Sequence, residues 1–157
     1  MEKTNCTRPA GFHSVTPSLI VKGADDAIKF YIAAFGAVER YRMAMPNGTI
    51  MHAEITIGDS IIMLSDEFPD WGAVSPLTSG GTPSALMIYT SDCDAMFANA
   101  IAAGATELRP LMDQFYGDRS GQVLDPFGYK WTISTRIEEV EPAEIQLRAA
   151  AWTTPGE

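Results

Sequence analysis

The sequence predicts an α+β protein built from two tandem β-α-β-β-β units, and two observations predict it. A helix-like stretch recurs 68 residues further along: Asp26 aligns with Asp94, Ala27 with Ala95, and Gly36-Ala37 with Gly104-Ala105. Each copy is preceded by one strand-like run and followed by three, which places the repeats at 14–67 and 83–136.

In the first unit, "TPSLIVKG" leads into "GADDAIKFYIAAFGA", where Ala27, Ile28, Tyr31, Ile32 and Phe35 recur at helical spacing. Acidic residues fill the first turn and Gly36 stops the helix. Then come "VERYRMAM", a turn at Asn47-Gly48, "TIMHAEITI", the turn "GD" and "SIIMLSD". Asn-Gly between alternating apolar runs is a strong hairpin signal. In the second unit, "PSALMIYTSD" precedes "SDCDAMFANAIAAGA". Asp92 or Ser91 can cap that helix, Met96, Phe97, Ala100 and Ile101 supply its apolar side, and Gly104 ends it. Three runs follow, "TELRPLM", "GDRSGQVL" and "YKWTIST"; before the last, "DPFG" is a turn in which Pro126 presets φ and Gly128 permits an unusual angle. Residues 68–82, rich in Pro, Gly and Ser, read as a mobile linker or lid. Residues 1–13 form an N-terminal tail, and 137–157 a C-terminal tail with a short helix started by Pro142.

A chain of 157 residues with 46% hydrophobic content suits one domain, or two small halves sharing a core. Its 11 Lys and Arg against 20 Asp and Glu give a net charge of -9, which repels phosphate backbones and anionic membranes. Nucleic acid and membrane are therefore excluded as expected partners. No run approaches the roughly 18 apolar residues of a spanning helix, and the opening stretch lacks the apolar core of a signal peptide. A cytoplasmic location is the expectation. Cys6 and Cys93 stand apart without zinc-like spacing and read as free thiols.

The chemistry concentrates in "MHAEITI". Side chains alternate across a strand, so His52, Glu54 and Thr56 share one face while Met51, Ala53, Ile55 and Ile57 share the other. His52 is suited to general acid or base work near neutral pH, with Glu54 orienting it or holding a second proton. The alternative is structural: His52 hydrogen-bonds across the sheet and Glu54 pairs with an arginine. By the repeat offset of 68, His52 falls opposite Ser120 and Glu54 opposite Gln122, so Asp118, Ser120 and Gln122 form a polar floor. Arg119 then points away, unless a bulge at Gly117 or Gly121 turns it inward to clamp a carboxylate or phosphate. Its other reading is a plain structural pair. Candidate walls are Tyr41, Met43, Met63, Met87, Phe115 and Tyr116, with Phe68 and Trp71 from the linker. Trp131 alternates with Lys130 and Thr132 and belongs to the helix-packing side, and His13 reads as exposed.

The paired units, with "FGAVERYRM", "MHAEITIGDSIIMLSDE" and "GDRSGQVLDPFG", resemble the vicinal oxygen chelate superfamily over roughly residues 14–136. This is the glyoxalase, bleomycin-resistance and dioxygenase group, and the motifs look most like its PhnB-like branch. The resemblance implies a curved-sheet cup around a small-molecule ligand, helices on the convex side, and a homodimer. It also implies metal ligands on the first and last strands of each unit, positions that fall near Thr16, Met63, Ala85 and Thr132. Hydroxyls and a thioether do not replace imidazole or carboxylate donors, so no metal and no cofactor are expected. A divalent metal recruited by His52 and Glu54 with a third donor is the alternative. The expected ligand contacts are Thr16, Tyr41, Met63, Trp71, Tyr116, Asp118, Arg119, Ser120, Gln122 and Thr132. Two functions stay open: a glyoxalase-like lyase or isomerase using His52 and Glu54 for proton transfer, and a bleomycin-resistance-type protein that sequesters its ligand. For the second, the acidic surface favours cationic ligands.

Overall fold

Asp66 shows how the first unit is tied together. Its carboxylate, at the end of one strand, accepts from the amides of Gly23 at 3.1 Å and Ala24 at 2.8 Å, and from Ile50 at 2.7 Å. It thereby caps a helix whose own N-cap residue, Gly23, supplies no side-chain bond. In the computed structural model, which describes residues 7–152, that unit runs β1 (Ser18–Val21), α1 (Ala24–Phe35), β2 (Val38–Ala44), β3 (Ile50–Ile57) and β4 (Ser60–Asp66). Its sheet order is β1-β4-β3-β2, with β1 parallel to β4 and the other pairs antiparallel. The second unit repeats the plan with β5 (Ala85–Tyr89), α3 (Cys93–Ala103), β6 (Thr106–Asp113), β7 (Asp118–Leu124) and β8 (Lys130–Arg136), in the order β5-β8-β7-β6. The predicted α+β class and both β-α-β-β-β units are present.

Alternation along β3 decides which face meets the helix. Ala53, Ile55 and Ile57 are buried while His52, Glu54 and Thr56 are half-buried on the opposite face. Ala24, Ala27, Ile28, Phe30, Tyr31, Ala34 and Phe35 are the buried residues of α1. Ile32, expected on that stripe, is 44% exposed because it falls at its edge, and Ile101 on α3 is 39% exposed. Gly36 ends α1 in the left-handed conformation at φ 66, its amide donating to the Ile32 carbonyl and the next amide, Ala37, to that of Tyr31, both at 3.1 Å. Asp92 caps α3 by accepting from the Ala95 amide at 2.9 Å. Trp131 is buried on the helix-packing side as expected, its Nε1 donating to Asp125 at 2.8 Å. The "DPFG" turn is organised by that same Asp125, which accepts from the Phe127 and Tyr129 amides, both at 2.9 Å.

The stretch 68–82 is more ordered than a linker. It holds a 3-10 turn at Pro69–Trp71 and a short helix α2 (Pro76–Ser79), and it belongs to the first unit, which ends at Thr82. Ser75 is fully buried, caps α2 through its hydroxyl, and donates its amide to Glu67 at 2.7 Å. The Pro and Gly content that suggested mobility instead shapes turns. The second unit takes in the C-terminal helix α4 (Pro142–Ala151). Arg148 holds α4 in place by pairing with Glu138 at 2.8 Å and donating to the Phe115 carbonyl at 3.3 Å. Cys93 is a buried free thiol, and Cys6 lies outside the described residues. Among the described residues no helix is long and apolar enough to cross a membrane.

Candidate functional site

The first unit presents His52 and Glu54 as a bonded pair along one strand. Nε2 of His52 lies 3.3 Å from Oε1 of Glu54, and the two side chains are 32% and 19% exposed, so both can be reached by a small molecule. Arg40 Nε stands 3.9 Å from the other oxygen of Glu54. It reaches that face because the β2–β3 register slips between Glu39 and Tyr41, an extra residue that re-aims the side chain. Phe12 packs its ring 5.7 Å beneath the same guanidinium, and the Tyr41 ring lies 6.3 Å from the His52 ring. Of the structural alternative, the arginine partner is present, but the imidazole bonds along its strand and not across the sheet. A carboxylate on one ring nitrogen fixes the ring's orientation and leaves Nδ1 as the nitrogen for a ligand.

Register lines up one row of side chains across each sheet. In the first unit Tyr41 pairs with Glu54, Glu54 with Met63, and Met63 with Ser18. In the second, Arg109 pairs with Gln122, Gln122 with Thr132, and Thr132 with Met87. The first-strand positions are therefore Ser18 and Met87, each two residues beyond the expected Thr16 and Ala85. Parallel pairing with β4 and β8 sets that register, and distance from the helix does not. Thr16 lies ahead of β1, its hydroxyl donating to the His13 carbonyl at 3.1 Å. Hydroxyls and thioethers at Ser18, Met63, Met87 and Thr132 do not fit the metal of the superfamily's enzymes. Nor does any group of three His, Cys, Asp or Glu among the described residues converge to hold one.

On the second unit a cavity of about 710 Å³ is lined by Arg109, Pro110, Met112, Gln114, Tyr116, Ser120, Gly121, Gln122, Thr132 and Trp152. That volume falls within the range of about 300–1,000 Å³ typical of small-molecule sites. Four expected contacts, Tyr116, Ser120, Gln122 and Thr132, meet here. Gln122 donates to the Thr132 hydroxyl at 3.3 Å, which leaves its amide oxygen for a ligand.

Two expected contacts are turned to structural work. Arg119 points to the helix side, where Nε and Nη2 grip Asp94 on α3 at 2.8 and 2.7 Å, and Nη1 reaches Asp113 on β6 at 3.1 Å. The hydrogen bonds to Asp94 and then Asp113 raise the guanidinium's pKa further, and the same pairing lowers that of Asp94. No bulge turns it inward, because β7 and β8 pair without a register shift. The glycines serve close approach instead. A Cβ on Gly121 would stand 2.7 Å from the Phe97 ring, and one on Gly117, at φ +95, would stand 2.3 Å from the Glu138 carbonyl oxygen. Asp118 shares the predicted face but is only 1% exposed, beneath Tyr89, whose hydroxyl donates to it at 2.9 Å. Ser134 adds a bond at 3.2 Å, and Arg136 Nε lies 2.7 Å from Oδ1 as a charge contact without hydrogen-bond alignment. The bond to Asp118, and then burial, hold the Tyr89 phenol above its ordinary pKa. Trp71 is 74% exposed and stacks on Phe68 at 5.1 Å, within the first unit.

Sequence reasoning missed Arg40, Arg109, Gln114 and Trp152. Arg109 was within reach, since it sits 68 residues beyond Tyr41, a position already named. Trp152 carried no such signal: it follows α4, outside the repeat, and meets the Phe115 ring at 5.7 Å.

Residues 11–133 match the model of the Glyoxalase/Bleomycin resistance protein/Dioxygenase superfamily. An uncharacterized protein of Mycobacterium bovis is 40% identical over 147 residues, covering 92% of this chain and 95% of its own. Among solved structures, an Arabidopsis thaliana gene product has 27% identity and a TM-score of 0.63 over 78% of this chain and 98% of its own. TioX from Micromonospora sp. ML1 has 26% identity and a TM-score of 0.62 over 82% and 100%. With residues 11–133 of its 157 matched by the family model, the chain belongs to the glyoxalase, bleomycin resistance and dioxygenase superfamily.

Proposed function

We propose that this chain binds a small organic molecule on the polar faces of its two sheets without a metal, as a PhnB-like member of the superfamily. The observation that carries the reading is the second unit's cavity, whose lining combines hydrogen-bonding side chains with aromatic and thioether surface. The branch assignment rests on the motifs around Phe35, Met51 and Gly117. In this reading His52, held by Glu54 at 3.3 Å, transfers a proton to or from a ligand on the first unit's own polar face, in glyoxalase-like lyase or isomerase chemistry. The protein works as a homodimer, as the resemblance implies, and in the cytoplasm, as the sequence reading expects.

Binding is tested by nuclear magnetic resonance with the neutral probe 2-naphthamide. Amide shifts clustering at Ser120, Gln122 and Thr132 are expected, and their absence would overturn the reading. Proton transfer is tested by deuterium exchange into the methyl group of acetophenone. The His52→Ala variant is expected to lose about 100-fold of the protein-dependent rate. A second reading, sequestration without chemistry, draws on a cavity lining that holds no His, Cys, Asp or Glu among the described residues. Exchange that His52→Ala leaves unchanged would favour it.

A further inference from the structure

The arginines of this acidic chain are mostly neutralised at close range. Arg40, Arg42, Arg119, Arg136 and Arg148 each stand within 4 Å of a carboxylate, the nearest contacts being 3.9, 2.7, 2.7, 2.7 and 2.8 Å. Arg109 has no such partner among the described residues, although Asp and Glu outnumber Lys and Arg by 20 to 11. It is also the arginine that lines the cavity.

The internal repeat shows what has changed around it. Arg109 corresponds to Tyr41 and pairs in register with Gln122, the counterpart of Glu54. In the first unit the row carries a carboxylate, and an arginine on the same face stands beside it at 3.9 Å. In the second unit the arginine sits in the row and the carboxylate has become an amide of the same length. A carboxamide cannot balance a guanidinium, so the row presents two kinds of hydrogen-bonding group and one uncompensated positive charge. Among the described residues no Asp or Glu lines the cavity to supply the missing charge. Tyr116 and Trp152 also line it, and Trp152 is 47% exposed, so part of its surface is open to contact.

Resting on the binding reading above, we propose that the second unit's cavity takes a planar aromatic molecule bearing a carboxylate. The guanidinium of Arg109 meets the carboxylate through two parallel N–H bonds, Gln122 and Thr132 supply further polar contacts, and Tyr116 and Trp152 cover the ring. This reverses, at the site, the cation preference that the overall charge suggests. A local guanidinium a few ångströms from the ligand outweighs distant surface carboxylates, which salt screens within about 8 Å at physiological ionic strength.

The test compares three probes of one ring and different charge by calorimetry: 2-naphthoate, 2-naphthamide and 2-naphthylmethylammonium. The carboxylate is expected to bind about ten-fold tighter than the amide, and the ammonium weakest. Arg109→Gln should abolish the preference for the carboxylate, weakening the carboxylate about ten-fold more than the amide, and Arg109→Lys should restore part of it, since lysine keeps the charge but not the fork. Trp152→Ala should weaken the carboxylate and amide together. Equal binding of carboxylate and amide, a preference for the ammonium, or a carboxylate preference that survives in Arg109→Gln would each overturn the proposal while leaving small-molecule binding intact. No binding of any probe would overturn both readings. Naphthyl phosphate is a fourth arm: binding of the phosphate about ten-fold tighter than the carboxylate would refute the carboxylate assignment.

Discussion

Gly121 carries more of the second unit than its lack of a side chain suggests. Its neighbours Ser120 and Gln122 face the cavity, so Gly121 faces α3, where an added Cβ would lie 2.7 Å from Phe97 Cε2 and 3.1 Å from the Leu111 amide. One contact is a packed ring and the other is backbone, and neither yields cheaply. Gly121→Ala is expected to cost about 1–3 kcal/mol, read as a lower midpoint in urea unfolding. The same glycine shows where reading residues from sequence reached its limit. A glycine in a strand signals either a bulge or a close approach, and only packing decides between them. Close approach left Arg119 on the helix side with Asp94, which removed it from the ligand contacts. His52 and Glu54 were legible because a strand's two-residue period fixes faces without any tertiary information. Arg40 was not legible, since the β2 register slip that turns it toward Glu54 leaves no mark in composition.

At the scale of elements, strands and helices followed from periodicity, and their junctions did not. The local cap of α3, Asp92, was readable in the sequence, whereas the Thr135 hydroxyl that accepts from the Cys93 amide at 2.9 Å was not. The cap of α1 comes from Asp66, 42 residues beyond Ala24, and was not. Because Asp66 accepts from three amides where Asp92 accepts from one, Asp66→Ala should destabilise by about 2–3 kcal/mol and Asp92→Ala by about 1 kcal/mol, both measured by urea unfolding. Segment 68–82 carries a pH response. Hydrogen bonding from the side chains of Thr78 and Ser75, then from the Ser75 amide, lowers Glu67 from the ordinary 4.5 to about 2. A depressed carboxyl stabilises the fold above its unfolded pKa and loses that contribution as pH falls toward the folded value. Protection of the Ser75 amide against hydrogen exchange should therefore weaken between about pH 4.5 and pH 2, and Glu67→Gln should remove that dependence.

Across the whole chain, two copies of one supersecondary plan have diverged in chemistry while keeping their topology. The plan was legible because each copy repeats the same order of apolar periods and glycine stops. The chemistry was half legible: offsets of 68 located the rows, but strand register moved the first-strand positions by two residues, to Ser18 and Met87. The first unit's face is ionisable, with His52, Glu54 and Arg40, whereas the second unit's cavity is lined by amides, hydroxyls and, as its one cation among the described residues, Arg109. Sedimentation equilibrium is expected to return about twice the 17.0 kDa of one chain; a monomer mass would remove the homodimer from the proposed function.

The Asp66 arrangement bears on how such repeats can be recombined. A helix whose start is anchored by a distant carboxylate is not a portable module: moved into the other half it leaves its anchor behind. Grafting the first unit's helix in place of α3 should yield frayed opening turns, whereas the reciprocal transplant brings its own Asp92. Exchange between the halves therefore costs less in one direction, where Asp92 travels with its helix and only the bond from the Cys93 amide to Thr135 is left behind.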